Sequence, residues 1–498
     1  QVDYDSFFHK EMVHFSVYDC ERSIPNMVDG LKTSLRKILY CSFKRRLTHE
    51  IKVAQFSGYV SEHTAYHHGE ASLNGAIVNM AQNFVGSNNI NLLEPNGQFG
   101  TRLHGGDDSA SERYIFTQLN TLTRSIFPDA DDSVLQYLND DGTVVEPEYY
   151  VPIIPFALIN GISGIGTGFS CNIASYNPLT IVEYLTKKLN NKNTKDIDFI
   201  PYYEGFKGSI NRIADKKYLI KGVYEKIAED KIRITELPIG TWTMPYTTFL
   251  ESLMDGTSKT GKKVTPSIRD FTSISTEVSV DITIVFPRGS LRELEQTIDE
   301  YGCNGVHKIL KLSTTNSATN MHMFNKDCRL HKYDSIEEIA DEFYDVRLGV
   351  YHKRKEFLIK NMNHKLIRLS NRARYIQENL KGTIDLRRKK ANQVTELLEG
   401  MKFDKIDDDY KYLVKMPMDS VTDENVTAIM KEKDDTQMEL TVLTNTTLEQ
   451  MWLGELATFK KNYITYKQKR EKIQAGQVKP AAAGKKATKI NVLKIKKK

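Results

Sequence analysis

The chain has 498 residues, 40% hydrophobic and 27% charged, with a formal net charge of +5. That length exceeds one compact core, so several domains are expected, and no apolar run approaches the roughly 20 residues of a membrane helix. The opening Gln1-Val-Asp-Tyr has neither a basic nor an apolar stretch, which excludes a secretory signal and reads as the middle of a longer chain. Five scattered cysteines (Cys20, Cys41, Cys171, Cys303 and Cys328) argue against a disulfide framework or a Cys-based zinc site and for a reducing compartment. Eight lysines and no acid follow Gln474, more than the net charge of the whole chain, so the body is near neutral. Nucleic-acid affinity would then have to come from local patches.

Residues 20–120 alternate helical stretches with turns. Asp29-Gly-Leu-Lys-Thr-Ser-Leu-Arg-Lys-Ile-Leu-Tyr puts Leu31, Leu35, Ile38 and Leu39 at helical spacing, with Lys32, Arg36 and Lys37 elsewhere on the helix and Lys44-Arg45-Arg46 after it. Two readings fit: a helix-turn-helix module on a DNA backbone, or a solvated surface helix. His67-His68 followed by Glu70 suggests zinc at first sight. Adjacent residues do not point at one centre, however, and no third ligand is well spaced, so phosphate contact or proton transfer is the better reading. In Gly100-Thr-Arg-Leu-His-Gly-Gly-Asp-Asp-Ser-Ala-Ser-Glu-Arg-Tyr-Ile, Tyr114 directly follows Arg113. A phenol can form a covalent phosphate ester, and a guanidinium can hold the phosphate oxygens bidentately.

Residues 146–330 change character. Tyr218-Leu-Ile, Lys231-Ile-Arg-Ile-Thr and Val278–Phe286 predict strands of an α+β unit, and Gly161, Gly164, Gly166 and Gly168 predict a tight turn. Residues 334–376 carry Ile336, Ile339, Phe343, Val346 and Val350 as a helical stripe. Two further helical runs cover about 423–446 and 448–473, the latter with Leu448, Trp452, Leu456 and Phe459. With a globular insert at about 380–420, they predict an antiparallel coiled-coil arm, an ordinary helical domain being the alternative. The Lys-rich end should be disordered, as a localisation signal, a DNA tether or a solubilising tail.

Six motifs stand in order: Glu21-Arg22-Ser-Ile-Pro-Asn-Met-Val-Asp-Gly-Leu-Lys32, Tyr66-His67-His68-Gly-Glu70-Ala-Ser72, Gly97-Gln98-Phe-Gly100-Thr-Arg102, Ser109-Ala-Ser-Glu-Arg113-Tyr114, Asn160-Gly-Ile-Ser-Gly-Ile165-Gly-Thr-Gly and Glu236-Leu-Pro-Ile-Gly-Thr-Trp242. Together they closely resemble the DNA breakage–reunion region of type IIA DNA topoisomerases of the eukaryotic and large-virus kind, from about Asp3 to Ile473. The resemblance implies an α+β multidomain chain: a winged helix-turn-helix cleavage domain (1–145), an α+β tower (146–330), a long antiparallel coiled-coil arm with a small globular gate (331–474) and a tail (475–498). It implies Tyr114 as the nucleophile that forms a 5′-phosphotyrosyl bond, Arg113 as stabiliser of the transition state, and His68, with Tyr66 and His67, against the scissile phosphate. It further implies backbone contacts from Arg22, Lys32 and Ser72, a DNA contact from Trp242, and Ile165 as an apolar wedge that bends the duplex.

The same resemblance implies a homodimer on double-stranded DNA, joined through the coiled-coil gate, and a nuclear enzyme or one at a viral or cytoplasmic replication site. Mg²⁺ and ATP are expected, but neither an acidic metal-binding cluster nor an ATP-binding Gly-rich region is visible here, so both are expected upstream or on another subunit. No metal residue is assigned in this chain. Asp107 and Glu112 depart from the family, standing where a basic residue and a proline are common. The competing reading is a non-catalytic protein that bends DNA and dimerises. A bacterial gyrase-type subunit fits less well, because no DNA-wrapping β repeats follow the arm.

Overall fold

The computed structural model describes residues 2–255, 266–386, 389–417 and 422–475. Apart from Ala475, the expected Lys-rich tail lies outside the described residues. The chain is mixed α/β and forms two compact units: the stretch up to Arg347 with the segment from Glu455, and Leu348–Gly454. Among the described residues no helix is long and apolar enough to cross a membrane. All five cysteines are free thiols.

After a short α-helical turn at Tyr4–Ser6 and a π-helix at Phe7–Met12, the first unit has four helices, Val13–Ser23, Thr33–Lys44, Val53–His63 and Glu70–Ala81. Ile38, Leu39, Phe56, Val60, Leu73 and Ile77 are buried, as helical spacing requires of a shared core. A short antiparallel strand pair closes this part, with Ile51 opposite Thr117 and Lys52 opposite Phe116. Asp29, fully buried, organises its floor. Its carboxylate accepts from Arg36 Nε at 2.7 Å, Arg36 Nη2 at 3.1 Å, Leu31 N at 3.0 Å and Tyr150 N at 3.0 Å. Lys37 Nζ donates to Glu146 at 2.9 Å and to the Thr64 carbonyl at 2.7 Å. Two of the three basic residues on the Thr33–Lys44 helix are therefore spent on internal partners. They form neither a solvated face nor a DNA-binding one.

The β-rich part follows. Strands Val223–Ala228, Lys231–Glu236, Ile282–Val285 and Asp270–Ser273 form a four-stranded antiparallel sheet. Ile232 and Ile234 face a core with Ile282, Ile284, Phe286 and Leu250, the period-2 alternation expected of a half-buried strand. Ser209–Ala214, Lys217–Lys221 and Ser313–Ser317 form a three-stranded sheet. The strand expected over Val278–Phe286 is shorter than its sequence suggests. Thr276 Oγ1 accepts from Ser279 N at 3.1 Å and Ser275 Oγ from Asp281 N at 3.0 Å, so local turn bonds take the backbone donors that a longer strand would need.

Ile162–Gly166 and Phe169–Ile173 pair as a hairpin, with Ile165 opposite Ser170. Gly161 and Gly168 sit at φ +67° and +78°, so glycines permit its entry and its turn. Later in the chain, Tyr463 donates to Glu204 at 2.7 Å, Tyr466 to Asn91 Oδ1 at 2.6 Å, and Arg470 Nη1 to the Asn88 and Asn89 carbonyls at 2.9 Å each. These bonds tie the last described helix to the segments after the Glu70–Ala81 helix and before the Ser209–Ala214 strand.

The three expected long helices run Ile336–Leu380, Asp423–Asn445 and Leu448–Gln474. In the second unit Leu369, Ala373 and Ile376 pack on Val426 and Ile429. Lys355 Nζ holds the Thr444 and Thr446 carbonyls at 2.9 and 2.7 Å. The predicted insert is a small cluster of Ile384, Leu398, Phe403, Tyr410 and Leu413 against Tyr375.

Candidate active site around Tyr114

Arg113 and Tyr114 lie in a turn whose backbone is fixed from three sides. Tyr114 N donates to the Ser111 carbonyl at 2.9 Å, Val53 N to Ile115 O at 3.0 Å and Ala54 N to Glu112 O at 3.2 Å. The start of the Val53–His63 helix thus spends donors that have no partner within their own helix on the carbonyls flanking the turn. Behind it, Asp108 accepts from Thr101 N at 2.8 Å and Thr101 Oγ1 at 2.6 Å. Ile115, next to Tyr114, is buried, while Tyr114 itself is 72% exposed. Among the described residues, the Arg113 and Tyr114 side chains have no hydrogen-bond or ion-pair partner. The result is a held backbone with two exposed, unpartnered side chains.

A groove of about 820 Å³ runs beside this turn, between Glu70, Asn74 and Gly75 on one side and Asp107, Ser109 and Arg113 on the other. Asp107 is exposed, and Glu112 is half-buried with Ser111 Oγ at 3.3 Å. Among the described residues neither carboxylate forms an ion pair, so both leave negative charge at the rim.

Tyr66, His67 and His68 lie in the turn between the Val53–His63 and Glu70–Ala81 helices. His67 and His68 are exposed, and so is Ser72 in the first turn of the following helix. That helix starts on Gly69, which supplies no side-chain cap. Ser72 N donates to the Gly69 carbonyl at 3.1 Å, and among the described residues the Glu70 and Ala71 N–H groups stay available to an anion, which the helix dipole favours. Tyr66 meets the His68 ring edge-on at 5.3 Å, and Tyr18 Oη lies 2.9 Å from His68 Nε2.

Arg22 reaches the same cluster. Its guanidinium lies over the Tyr18 ring at 5.7 Å and holds Asp19 Oδ1 at 3.0 and 2.7 Å. Asp19 also accepts from Thr167 Oγ1 at 2.9 Å. The Arg22 and Thr167 bonds hold its carboxyl below the usual range. Thr167 sits in the turn of the 162–173 hairpin, whose tip residue Ile165 is 81% exposed. The hairpin seats closely: a Cβ on Gly164 would fall 2.3 Å from the Ser23 carbonyl and 3.6 Å from Lys32 Cε. Lys32 is half-buried beside it, and that burial lowers its ammonium pKa.

Trp242 is half-buried against Phe84, ring centroids 5.7 Å apart, and covers Gly105 so tightly that a Cβ there would lie 2.3 Å from Trp242 Nε1. Gly105 also sits at φ +71°. Trp242 thus braces the Gly100–Asp108 loop. The buried Arg102–Glu236 ion pair fastens the same loop to the sheet. Sequence reasoning missed Tyr18, Asp19 and Thr167. The i,i+4 spacing of Tyr18 and Arg22 was a readable signal, whereas the Tyr18–His68 contact spans 50 positions and left none.

The structure brings together an exposed tyrosine–arginine pair on a braced turn, a histidine-bearing helix turn and an apolar hairpin tip. The family of DNA gyrase and topoisomerase IV A-type subunits matches residues 22–457, and the chain belongs to it. It is 41% identical to DNA topoisomerase 2 of Arabidopsis thaliana, across 98% of this chain and 35% of that protein. To human DNA topoisomerase 2-beta it is 37% identical, across 97% of this chain and 31% of that protein. The crystal structure of the Plasmodium falciparum topoisomerase II DNA-binding, cleavage and re-ligation domain superposes with a TM-score of 0.85 at 37% identity, covering 96% of this chain and 66% of that one. The chain spans about a third of the length of the curated relatives it matches.

Proposed function

We propose that this chain is the breakage–reunion region of a type II DNA topoisomerase. The Tyr114 hydroxyl loses its proton and its oxygen bonds to a DNA phosphorus as the bond to the 3′ oxygen breaks. This leaves a 3′ hydroxyl and a 5′ end esterified to Tyr114, and the reverse attack reseals the strand. Arg113 binds the non-bridging oxygens as charge develops on them. His68, with Tyr66 and His67, faces the scissile phosphate. Lys32, Arg22 and Ser72 take neighbouring phosphates, Trp242 supplies a further DNA contact, and Ile165 enters the base stack, which lets a bent duplex lie along more protein. Two copies cut both strands, and a second duplex passes through the break, relaxing and decatenating DNA.

Helices Val53–His63 and Glu70–Ala81 with the short strand pair serve as a winged helix-turn-helix within residues 1–145. Residues 146–330 form the tower, and 331–474 form the coiled-coil arm and the gate that joins the homodimer. The enzyme works in the nucleus. Among the described residues no group of three or more His, Cys, Asp or Glu is placed to hold a metal. Mg²⁺ is assigned no residue in this chain, and the metal is expected from a metal-binding domain, as ATP is from an ATPase domain, on a further part of the polypeptide or on another subunit.

The observation that carries this reading is the unpartnered Arg113–Tyr114 pair on a backbone fixed by the Val53–His63 helix. The test is denaturant trapping of protein on DNA, with Mg²⁺ and a metal-binding domain supplied. Wild type should leave a covalent adduct and Tyr114→Phe none. Adduct yield unchanged in Tyr114→Phe sinks the assignment. Binding without adduct in wild type would favour a non-catalytic DNA-bending protein.

A further inference from the structure

We propose that Tyr18 is a positioning residue for His68: its hydroxyl fixes the imidazole in the Nδ1–H tautomer and leaves Nδ1–H as the ring's donor to a DNA phosphate. This rests on the reading of His68 as a phosphate contact. The helix Val13–Ser23 and the turn that carries His68 lie far apart in sequence, yet Tyr18 Oη comes within 2.9 Å of His68 Nε2. A phenol donates far more readily than it accepts, and a neutral imidazole offers one acceptor nitrogen. Nε2 accepts from Tyr18, so the ring proton resides on Nδ1. Among the described residues Nδ1 has no partner within the chain. It is left for the ligand.

Both partners of this bond are themselves held. Tyr66 stands edge-on to His68 at 5.3 Å and limits its rotation. Arg22 covers the Tyr18 ring at 5.7 Å, and Asp19 fixes Arg22 through Nε and Nη2. Asp19 also takes the Thr167 hydroxyl. A continuous polar path therefore runs from the hairpin that carries Ile165, through Asp19, Arg22 and Tyr18, to His68. A histidine poised by a second hydrogen bond at its other nitrogen is a general way to set which atom faces a ligand. An exposed histidine alone would sample both tautomers, and only one of them donates from Nδ1.

The experiment uses this chain with ¹⁵N-labelled histidine rings, His68 assigned through His68→Gln, at a pH of about 8 where an ordinary imidazole is neutral. In wild type, the His68 ring shifts should report Nδ1 protonated and Nε2 not. Tyr18→Phe should move both toward tautomer averaging. In the same variant, adduct formation with the metal-binding domain supplied should slow by roughly five-fold, the scale of one exposed hydrogen bond. Tyr18→Phe keeps the ring under Arg22, so a packing role would leave Phe silent and be lost only in Tyr18→Ala. A full effect already in Phe assigns the role to the hydroxyl. Unchanged His68 shifts in Tyr18→Phe overturn the proposal whatever the activity. If His68→Ala forms adduct at the wild-type rate, the phosphate role of His68 fails while the tautomer assignment stands.

Discussion

Lys32 and Arg36 lie one helical turn apart and meet opposite fates. Arg36 is buried on Asp29, with Lys37 beside it on Glu146. Lys32 is half-buried next to the hairpin with its pKa depressed by burial and no internal carboxylate among the causes. The first pair is framework, complete within the protomer. The second residue is desolvated without an internal carboxylate, which the proposed function fills with a DNA phosphate. The same division separates Asp108, locked onto Thr101, from Arg113 and Tyr114, which are left open. Arg36, Lys37 and Asp108 are completed by partners inside the protein, whereas Lys32, Arg113 and Tyr114 are members of the proposed site left, among the described residues, without an internal partner of opposite charge.

Removing one side of the satisfied class should have the largest effect. Arg36→Met strands Asp29 as a buried, uncompensated charge and should cost about 3–5 kcal/mol in chemical denaturation. Loss below about 1 kcal/mol would mean that the pair is not framework. Next comes Arg113→Lys, which keeps the charge but loses the planar fork. Adduct formation should slow by roughly 100-fold, with fold stability unchanged and DNA affinity nearly so. A parallel loss of affinity would recast Arg113 as a plain ground-state contact.

Ile165→Ala separates bending from binding. The tip is exposed and the hairpin is seated by Gly164 and Thr167, so truncation removes the wedge without unseating its base. DNA bending, followed by fluorescence transfer between duplex ends, should fall while unbent binding persists. Equal bending in the variant leaves the wedge role unsupported.

The division between framework and site was only half legible beforehand. Helical spacing placed Ile38, Leu39, Ile339 and Phe343 in the interior, and the glycines at 161–168 announced the hairpin, because local periodicity and backbone freedom are written in neighbouring residues. The Arg113–Tyr114 dipeptide was visible for the same reason. The burial of Arg36 was not, since a basic residue off an apolar stripe reads as solvent-facing until its distant partners, Asp29 and the 146–150 segment, are folded against it. Tyr18 stayed hidden because its partner lies 50 positions away. Trp242, matched only by motif, lies half-buried on Gly105, a packing role that the motif did not announce.

The smallest expected effect is the sharpest probe of the unsatisfied class. Burial lowers the Lys32 pKa, so the free protein carries its charge at a cost below that folded pKa, and the cost is relieved as pH rises toward the unfolded value. Lys32→Met should therefore leave the free protein slightly more stable at neutral pH, the gain shrinking as pH approaches about 10. DNA should invert the sign. A phosphate favours the ammonium form, so wild type should take up more protons on binding at pH just below the ordinary lysine pKa than Lys32→Met does. Its binding should also show a salt slope shallower by about one, the loss of a single phosphate contact, uniformly across DNA sequences. A destabilised free protein with an unchanged slope would place Lys32 with Arg36 in the framework and remove the distinction between them.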